Sequence, residues 1–286
     1  MRLCRFDDGK YGVIRGDTVY DVTAVVDRIV RRSSDGVRGD AVVARLAEIK
    51  ASITDPETYQ AYPVSAVKLL SPVANPSKLV AAPTNYRAHI AEMAADKTAG
   101  NPNIPKDIGK AGLFLKANSA LVGPSAGVAL RFPERRNDHE VEFVVIIGRE
   151  GSDIPEDRAL DYVAAYTLGL DMTLRGPEDR SFRKSIDTYA VLGPWLVTAD
   201  EIPDPDNVDF SLRVNGEVRQ DANTSDLIYG IRKLIAYGSS FYTLLPGDVI
   251  YTGSPEGVSP VKPGDVMLAD CPAIGRMEVR VRLHGA

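Results

Sequence analysis

The sequence predicts a β-rich core preceded by a small α+β N-terminal domain. Three observations carry that expectation. Strand signals dominate from residue 113 onward, while helical spacing is confined to a few segments. The first seventy residues mix short β-prone runs with one helical pattern. Between these parts lies Ser71-Pro-Val-Ala-Asn-Pro-Ser77, whose two prolines interrupt both helix and ladder. The expected division is therefore a domain at 1–72 and a core at 78–286.

Taken in order, Tyr11–Ile14 and Thr18–Val22 flank Arg15-Gly16-Asp17, a hairpin signal. Asp40 is placed to cap a helix with apolar positions Val42, Leu46, Ile49 and Ile53. Leu79–Ala82 reads as a buried strand, and a helix is expected from Asn85 to Ala95. Residues 96–112 hold turn formers and charge without periodicity, the pattern of either a functional lid or a disordered loop. Strands are expected at 113–115, 140–147, 190–197, 210–214, 248–252 and 277–283. Helices are expected at 156–166 and 224–242.

Composition narrows the function. The 286 residues carry 34 Lys and Arg against 39 Asp and Glu, with no dense basic run, which argues against nucleic-acid binding. No apolar run approaches the roughly 18 residues that span a bilayer. Cys4 and Cys271 cannot build a disulfide framework, and no signal peptide is visible, so the expected location is the cytoplasm.

The chemistry concentrates at Asp138-His-Glu140-Val-Glu142-Phe-Val-Val-Ile-Ile-Gly148. The apolar run from 143 to 147 implies a strand buried on both faces. Glu140 and Glu142 are two apart and project from one face. Burial and mutual repulsion both oppose their ionisation. Either the strand end is solvated or a hard divalent cation neutralises the pair. Asp171 ends a second apolar stretch, where it supplies a third oxygen ligand or caps the following turn. Lys184 precedes a strongly apolar strand, where it either stabilises an oxyanion or faces solvent.

These segments together resemble the fumarylacetoacetate hydrolase family. The matching stretches are Asn85-Tyr-Arg-Ala-His89-Ile-Ala-Glu92, Leu113-Phe-Leu-Lys116 with Ser119-Ala-Leu-Val-Gly-Pro124, and Glu140-Val-Glu142-Phe. They continue with Gly169-Leu-Asp171-Met-Thr-Leu-Arg175, Lys184-Ser-Ile-Asp-Thr188 with Leu192-Gly-Pro-Trp195, Asn223-Thr-Ser-Asp-Leu-Ile228, and Pro246-Gly-Asp-Val-Ile-Tyr-Thr-Gly-Ser254. Their order and spacing cover about residues 78 to 286.

The resemblance implies a mixed β-roll core, a homodimer, and a Mg²⁺, Mn²⁺ or Ca²⁺ site at Glu140, Glu142 and Asp171. It implies C–C hydrolysis of a 1,3-dicarbonyl 2-oxo acid of acylpyruvate or fumarylpyruvate type, in the catabolism of aromatic compounds. His89 and Glu92 would form a general-base pair on a lid segment at about 85–112, with Lys184 beside the metal. Arg175 would bind a substrate carboxylate or brace Asp171, and Thr252, Gly253 and Ser254 would meet substrate oxygens. Lys116 would stand just outside the metal shell, and Tyr189 and Trp195 would lie in the core. Glu178 replaces a neutral amide donor common in the family, which alters the substrate oxygen that can be bound there. Two further departures are Pro83-Thr84, where Gly-Leu is usual, and His139 before Glu140.

The same site would serve a decarboxylase or isomerase of oxaloacetate-like or 2-hydroxydienedioate substrates. The His89–Glu92 pair favours hydrolysis, because only hydrolysis needs an activated water. A non-catalytic metal-binding protein on the same fold is the reading from another class, and it has no use for such a base. Gly123-Pro-Ser125-Ala-Gly127 with His284 fits a serine-nucleophile pattern, but extended chain rather than a helix is expected after it.

Overall fold

The structure is a computed structural model, and it describes residues 1–31, 38–96 and 108–285. Residues 97–107, most of the expected 96–112 loop, lie outside the described residues.

The long apolar run reads directly into architecture. Val141–Ile147 is buried at every position and sits in the middle of a 12-stranded mixed sheet. Its antiparallel neighbours are Val163–Asp171 and Val249–Tyr251. Beyond Val163–Asp171 lies Ala190–Thr198, and beyond Val249–Tyr251 lie Leu79–Ala81 and Phe114–Lys116. Alternation then sorts the side chains. Val141, Phe143, Val145 and Ile147 enter one apolar cluster with Tyr166, Leu168 and Leu170. Val144 and Ile146 enter another, with Tyr251, Leu192 and the helix residues Val26, Leu46 and Ile49.

The N-terminal hairpin forms as expected, Lys10–Arg15 against Thr18–Asp21, with Arg15 paired to Thr18 across Gly16 and Asp17. Gly16 adopts φ +53°, which a tight two-residue turn favours. The strand Arg2–Phe6 pairs with Ala190–Thr198, so the N-terminal strands extend the core's own sheet. Asp40 caps its helix, accepting from the Val42 and Val43 N–H groups at 3.0 and 3.1 Å. Its other oxygen accepts from Ala74 and Asn75, which ties down the proline-rich connection. A second sheet of five strands, Glu217–Asn223, Asp209–Val214, Val266–Cys271, Gly275–Leu283 and Val128–Leu130, completes the roll.

Two helical expectations are corrected. In place of a helix at 156–166, a 3₁₀ segment covers Glu156–Tyr162 and the strand Val163–Asp171 follows. The sheet takes Val163–Asp171 because both flanking strands are there to pair it, and tertiary pairing overrides local spacing. In place of 224–242, the α-helix is Ile231–Ser239. Asn223 caps a short turn through Ser225 N–H, and Gly230 separates that turn from the helix. Among the described residues no helix is long and apolar enough to cross a membrane.

Candidate active site

Strand register assembles the acidic cluster. Val141 stands opposite Leu170 and Glu142 opposite Gly169. One step further, Glu140 faces Asp171, whose N–H donates to the Glu140 carbonyl at 2.9 Å. Residues two apart share a face, so Glu140, Glu142 and Asp171 converge. All three are buried, and one carboxylate oxygen from each lies within 4.8 Å of the others. Gly169 leaves room opposite Glu142, since a Cβ there would meet the Tyr251 ring at 2.5 Å.

The other neighbouring strand contributes the Thr252–Gly253–Ser254 turn. Gly253 donates its N–H to Glu142 Oε2 at 2.6 Å. Its φ of +107° and the 2.7 Å that would separate an added Cβ from Asn85 Cβ both require glycine. Thr252 Oγ1 donates to the Phe143 carbonyl, and Ser254 Oγ accepts from Gln220. These three residues, expected to meet substrate oxygens, thus hold Glu142 and its strand.

Cations crowd two of the carboxylates and leave the third. Lys184 Nζ donates to Glu140 Oε2 and Asp171 Oδ2, both at 2.6 Å. Lys116 Nζ donates to Asp171 Oδ1 and the Lys184 carbonyl, beside the cluster as expected. Arg175 Nη2 donates to Glu140 Oε1 at 2.9 Å, and its Nε donates to Asp138 at 2.7 Å. Burial acts to raise the Glu140 carboxyl, but Lys184, Arg175 and His89 hold it well below the ordinary range. Glu142 is pushed the other way, by burial and by the charge on Asp171. Its Oε1 is buried without a hydrogen-bond partner. An unanswered buried carboxylate oxygen is costly, and three converging carboxylates are the donor set of a hard divalent ion. The residues therefore fit Mg²⁺, Mn²⁺ or Ca²⁺.

His89 and Glu92 lie on the helix Arg87–Ala95, in which His89 is the buried residue. At helical i,i+3 spacing, His89 Nδ1 approaches Glu92 Oε2 to 3.2 Å. Glu92 Oε1 accepts from Gly257 N–H at 3.0 Å. Burial opposes its ionisation, yet the bonds from His89 and Gly257 keep its pKa below the ordinary value. The helix is further tied by Asp96 to Arg136 at 2.6 Å, and by Met93 Sδ to Arg175. Asn85 fixes its entry, donating to the Tyr229 and Thr252 carbonyls and accepting from Tyr229 N–H.

Glu178 is not brought to the acidic cluster by any contact. Both of its oxygens are held by Arg135, at 2.9 and 2.8 Å. Tyr189 and Trp195 are buried in the core. The serine-nucleophile pattern is dismantled: Ser125 Oγ accepts from Leu69 N–H, a strand follows at Val128–Leu130, and His284 is exposed.

Two residues escaped sequence reasoning. Asp138 bridges Arg175 and Arg136, and its alternation with Glu140 was the available signal. Gln220 joins His139, Val141, Ser254 and Pro255 from a distant strand, and no local pattern announces it. His139, held between Gln220 and Ser259 and kept neutral by burial, is structural.

Comparison with known proteins agrees with this geometry. The family model described as fumarylacetoacetate (FAA) hydrolase C-terminal matches residues 78–282. A maleylpyruvate hydrolase of Aquipseudomonas alcaligenes is 50% identical over 288 aligned residues, covering 99% of each chain. The crystal structure of maleylpyruvate hydrolase from Sphingobium sp. SYK-6, in complex with manganese (II) ion and pyruvate, superposes with a TM-score of 0.83. It is 36% identical and covers 99% of each chain. The mitochondrial oxaloacetate tautomerase Fahd2a of Rattus norvegicus is 37% identical over 211 residues, 72% of this chain and 64% of that protein. With its strand-borne acidic triad and its matching core, the chain belongs to the fumarylacetoacetate hydrolase family.

Proposed function

We propose that this protein is a metal-dependent hydrolase that cleaves a C–C bond in an acylpyruvate-type 2-oxo acid. The observation that carries the reading is the buried triad, with its unpartnered Glu142 oxygen, beside a His89–Glu92 pair. Glu140, Glu142 and Asp171 would hold the ion, which supplies Lewis acidity to the 2-oxo group and to the enolate that leaves.

The chain's own groups do the rest. Glu92 engages His89 Nδ1, so Nε2 is the atom left to take a proton from water. Glu92 stays ionised and steadies the imidazolium that results. Water activated in this way attacks the distal carbonyl, and the C–C bond breaks toward the pyruvate enolate. Lys184 and Arg175, both on Glu140, offset negative charge as it develops there. Gly253 holds Glu142 in place through its N–H.

A second reading, oxaloacetate-like tautomerisation or decarboxylation, draws support from the Rattus relative. It needs the same triad but no water-activating base. The physiological ion is Mg²⁺ or Mn²⁺ in this proposal, and the enzyme works as a cytoplasmic homodimer in aromatic catabolism. The free, buried cysteines suit a reducing compartment. A panel of acylpyruvates, fumarylpyruvate, oxaloacetate and 2-hydroxydienedioates, each assayed with Mg²⁺ and Mn²⁺, tests the proposal. Pyruvate release from an acylpyruvate is the expected result, and turnover of oxaloacetate or a dienoate alone would favour the second reading.

A further inference from the structure

Glu140 is the most contested carboxylate of the triad. Both of its oxygens already carry a cation, Arg175 Nη2 on Oε1 at 2.9 Å and Lys184 Nζ on Oε2 at 2.6 Å. An ion held by Glu140, Glu142 and Asp171 has to share those oxygens with them. The two cations are unequal competitors. Lys184 is a compact charge that bridges Glu140 and Asp171 with one bond to each. Arg175 carries a rigid fork that fits both oxygens of a single carboxylate.

That fork is split. The Nε and Nη2 protons of an arginine lie along one edge, the edge that clasps a carboxylate side-on. In Arg175, Nε goes to Asp138 Oδ2 at 2.7 Å, and Nη2 alone goes to Glu140. Asp138 is fully buried, and its other oxygen is fixed from the far side by Arg136 Nε at 2.8 Å. Arg136 is in turn held by Asp96 at 2.6 Å. The Arg175 backbone is fixed as well, its N–H donating to the Arg136 carbonyl at 2.8 Å. The fold therefore sets both the position of Asp138 and the plane of the guanidinium. Glu142 has no such neighbour: among the described residues no side-chain cation bonds it, and its Oε1 is unpartnered.

We propose that Asp138 is a positioning residue for the ion site: by holding Arg175 Nε it limits the arginine to one bond on Glu140, and so keeps Glu140 open to a divalent ion. Without Asp138, Nε is a buried donor in need of an acceptor, and Glu140 is the carboxylate already on the same edge of the fork. Side-on capture of both Glu140 oxygens then closes the ligand that the ion needs. This inference rests on the reading of Glu140, Glu142 and Asp171 as ion ligands and adds a residue that serves them without touching the ion.

The test is calorimetric titration of Mn²⁺ into the wild type, Asp138→Asn, Arg175→Lys and the double variant that carries both substitutions. Asparagine keeps the shape of Asp138 but offers two arginines one acceptor oxygen and no charge. Asp138→Asn should weaken Mn²⁺ binding by about ten- to a hundredfold, the scale for a residue that orients an ion ligand from behind. Lysine keeps the charge of Arg175 and lacks its fork. Arg175→Lys should therefore stay within about threefold of the wild type, and the double variant should recover most of the affinity that Asp138→Asn loses. A double variant as weak as Asp138→Asn points to lost charge or a disturbed fold and overturns the assignment. Unchanged affinity in Asp138→Asn overturns it as well and leaves the ion site standing. Arg175→Lys alone remains informative where Asp138→Asn fails to fold: a loss of about tenfold or more there means that the guanidinium supports the ion, and overturns the assignment. A wild type that binds no Mn²⁺ overturns both this assignment and the ion site.

Discussion

Glu140, Glu142 and Asp171 stand at the ends of strands buried on both faces, whereas His89 and Glu92 stand on one nine-residue helix fastened to the sheet by side chains. In the first region, backbone register sets every ligand position, and a shift of one residue would turn the carboxylates to the opposite face. In the second, His89 is the buried residue, and polar contacts from Asn85, Glu92, Met93 and Asp96 hold the helix. The difference teaches a division of labour. In the proposed mechanism, the ion site is built where the fold is least able to move, and the proton-transfer pair where few apolar contacts oppose the local opening that substrate entry would need.

The sharpest way to break this contrast is Glu142→Ala. It should lower activity by about a thousandfold or more, because several kcal/mol of Lewis-acid stabilisation are lost with the ion. A near-native circular dichroism spectrum should accompany that loss. Next, His89→Ala should cost about a hundred- to ten-thousandfold in hydrolysis, the range of general-base catalysis. Undiminished hydrolysis by that variant would make the pair structural.

Gly253→Ala strikes the junction between the regions. It forces a side chain into φ +107° and against Asn85, at a cost of order 1–3 kcal/mol that a melting curve would read. The helix side also carries a pH signature. Because the bonds from His89 and Gly257 hold the Glu92 carboxyl below its ordinary pKa, its contribution is full above the ordinary carboxylate range and fades as pH falls through the lowered folded-state value. Hydrogen exchange at residues 87–95 should therefore speed up below about pH 4 after correction for intrinsic rates, with the Val141–Ile147 strand still protected. The smallest effect is expected from Asp96→Asn, which removes one partly exposed ion pair worth about 0.2–1 kcal/mol. KM should rise no more than about fivefold, with metal affinity intact.

The two regions also differed in how far the sequence disclosed them. Glu140 and Glu142 were visible because acids at the head of an apolar strand demand a physical answer. Asp171 was visible at the end of an apolar stretch, yet its strand was not, since Val163–Asp171 became a strand through partners distant in sequence. His89 and Glu92 were readable from helical spacing and the family resemblance together. Their anchors at Gly257, Arg136 and Arg175 come from other parts of the chain and leave no local signal. Thr252 and Ser254 belong to a motif that the resemblance assigns to substrate contact, and their hydroxyls bond the Phe143 carbonyl and Gln220, partners that no local pattern announces. Glu178 was likewise placed at the substrate, and Arg135 holds it.

The most direct test is calorimetric titration of Mn²⁺ into the wild type, Glu142→Ala and His89→Ala. Wild type and His89→Ala should bind one ion per chain with similar affinity, and Glu142→Ala should show no tight binding. Unchanged affinity in Glu142→Ala, or its loss in His89→Ala, would contradict the separation of an ion-holding sheet from a proton-transferring helix.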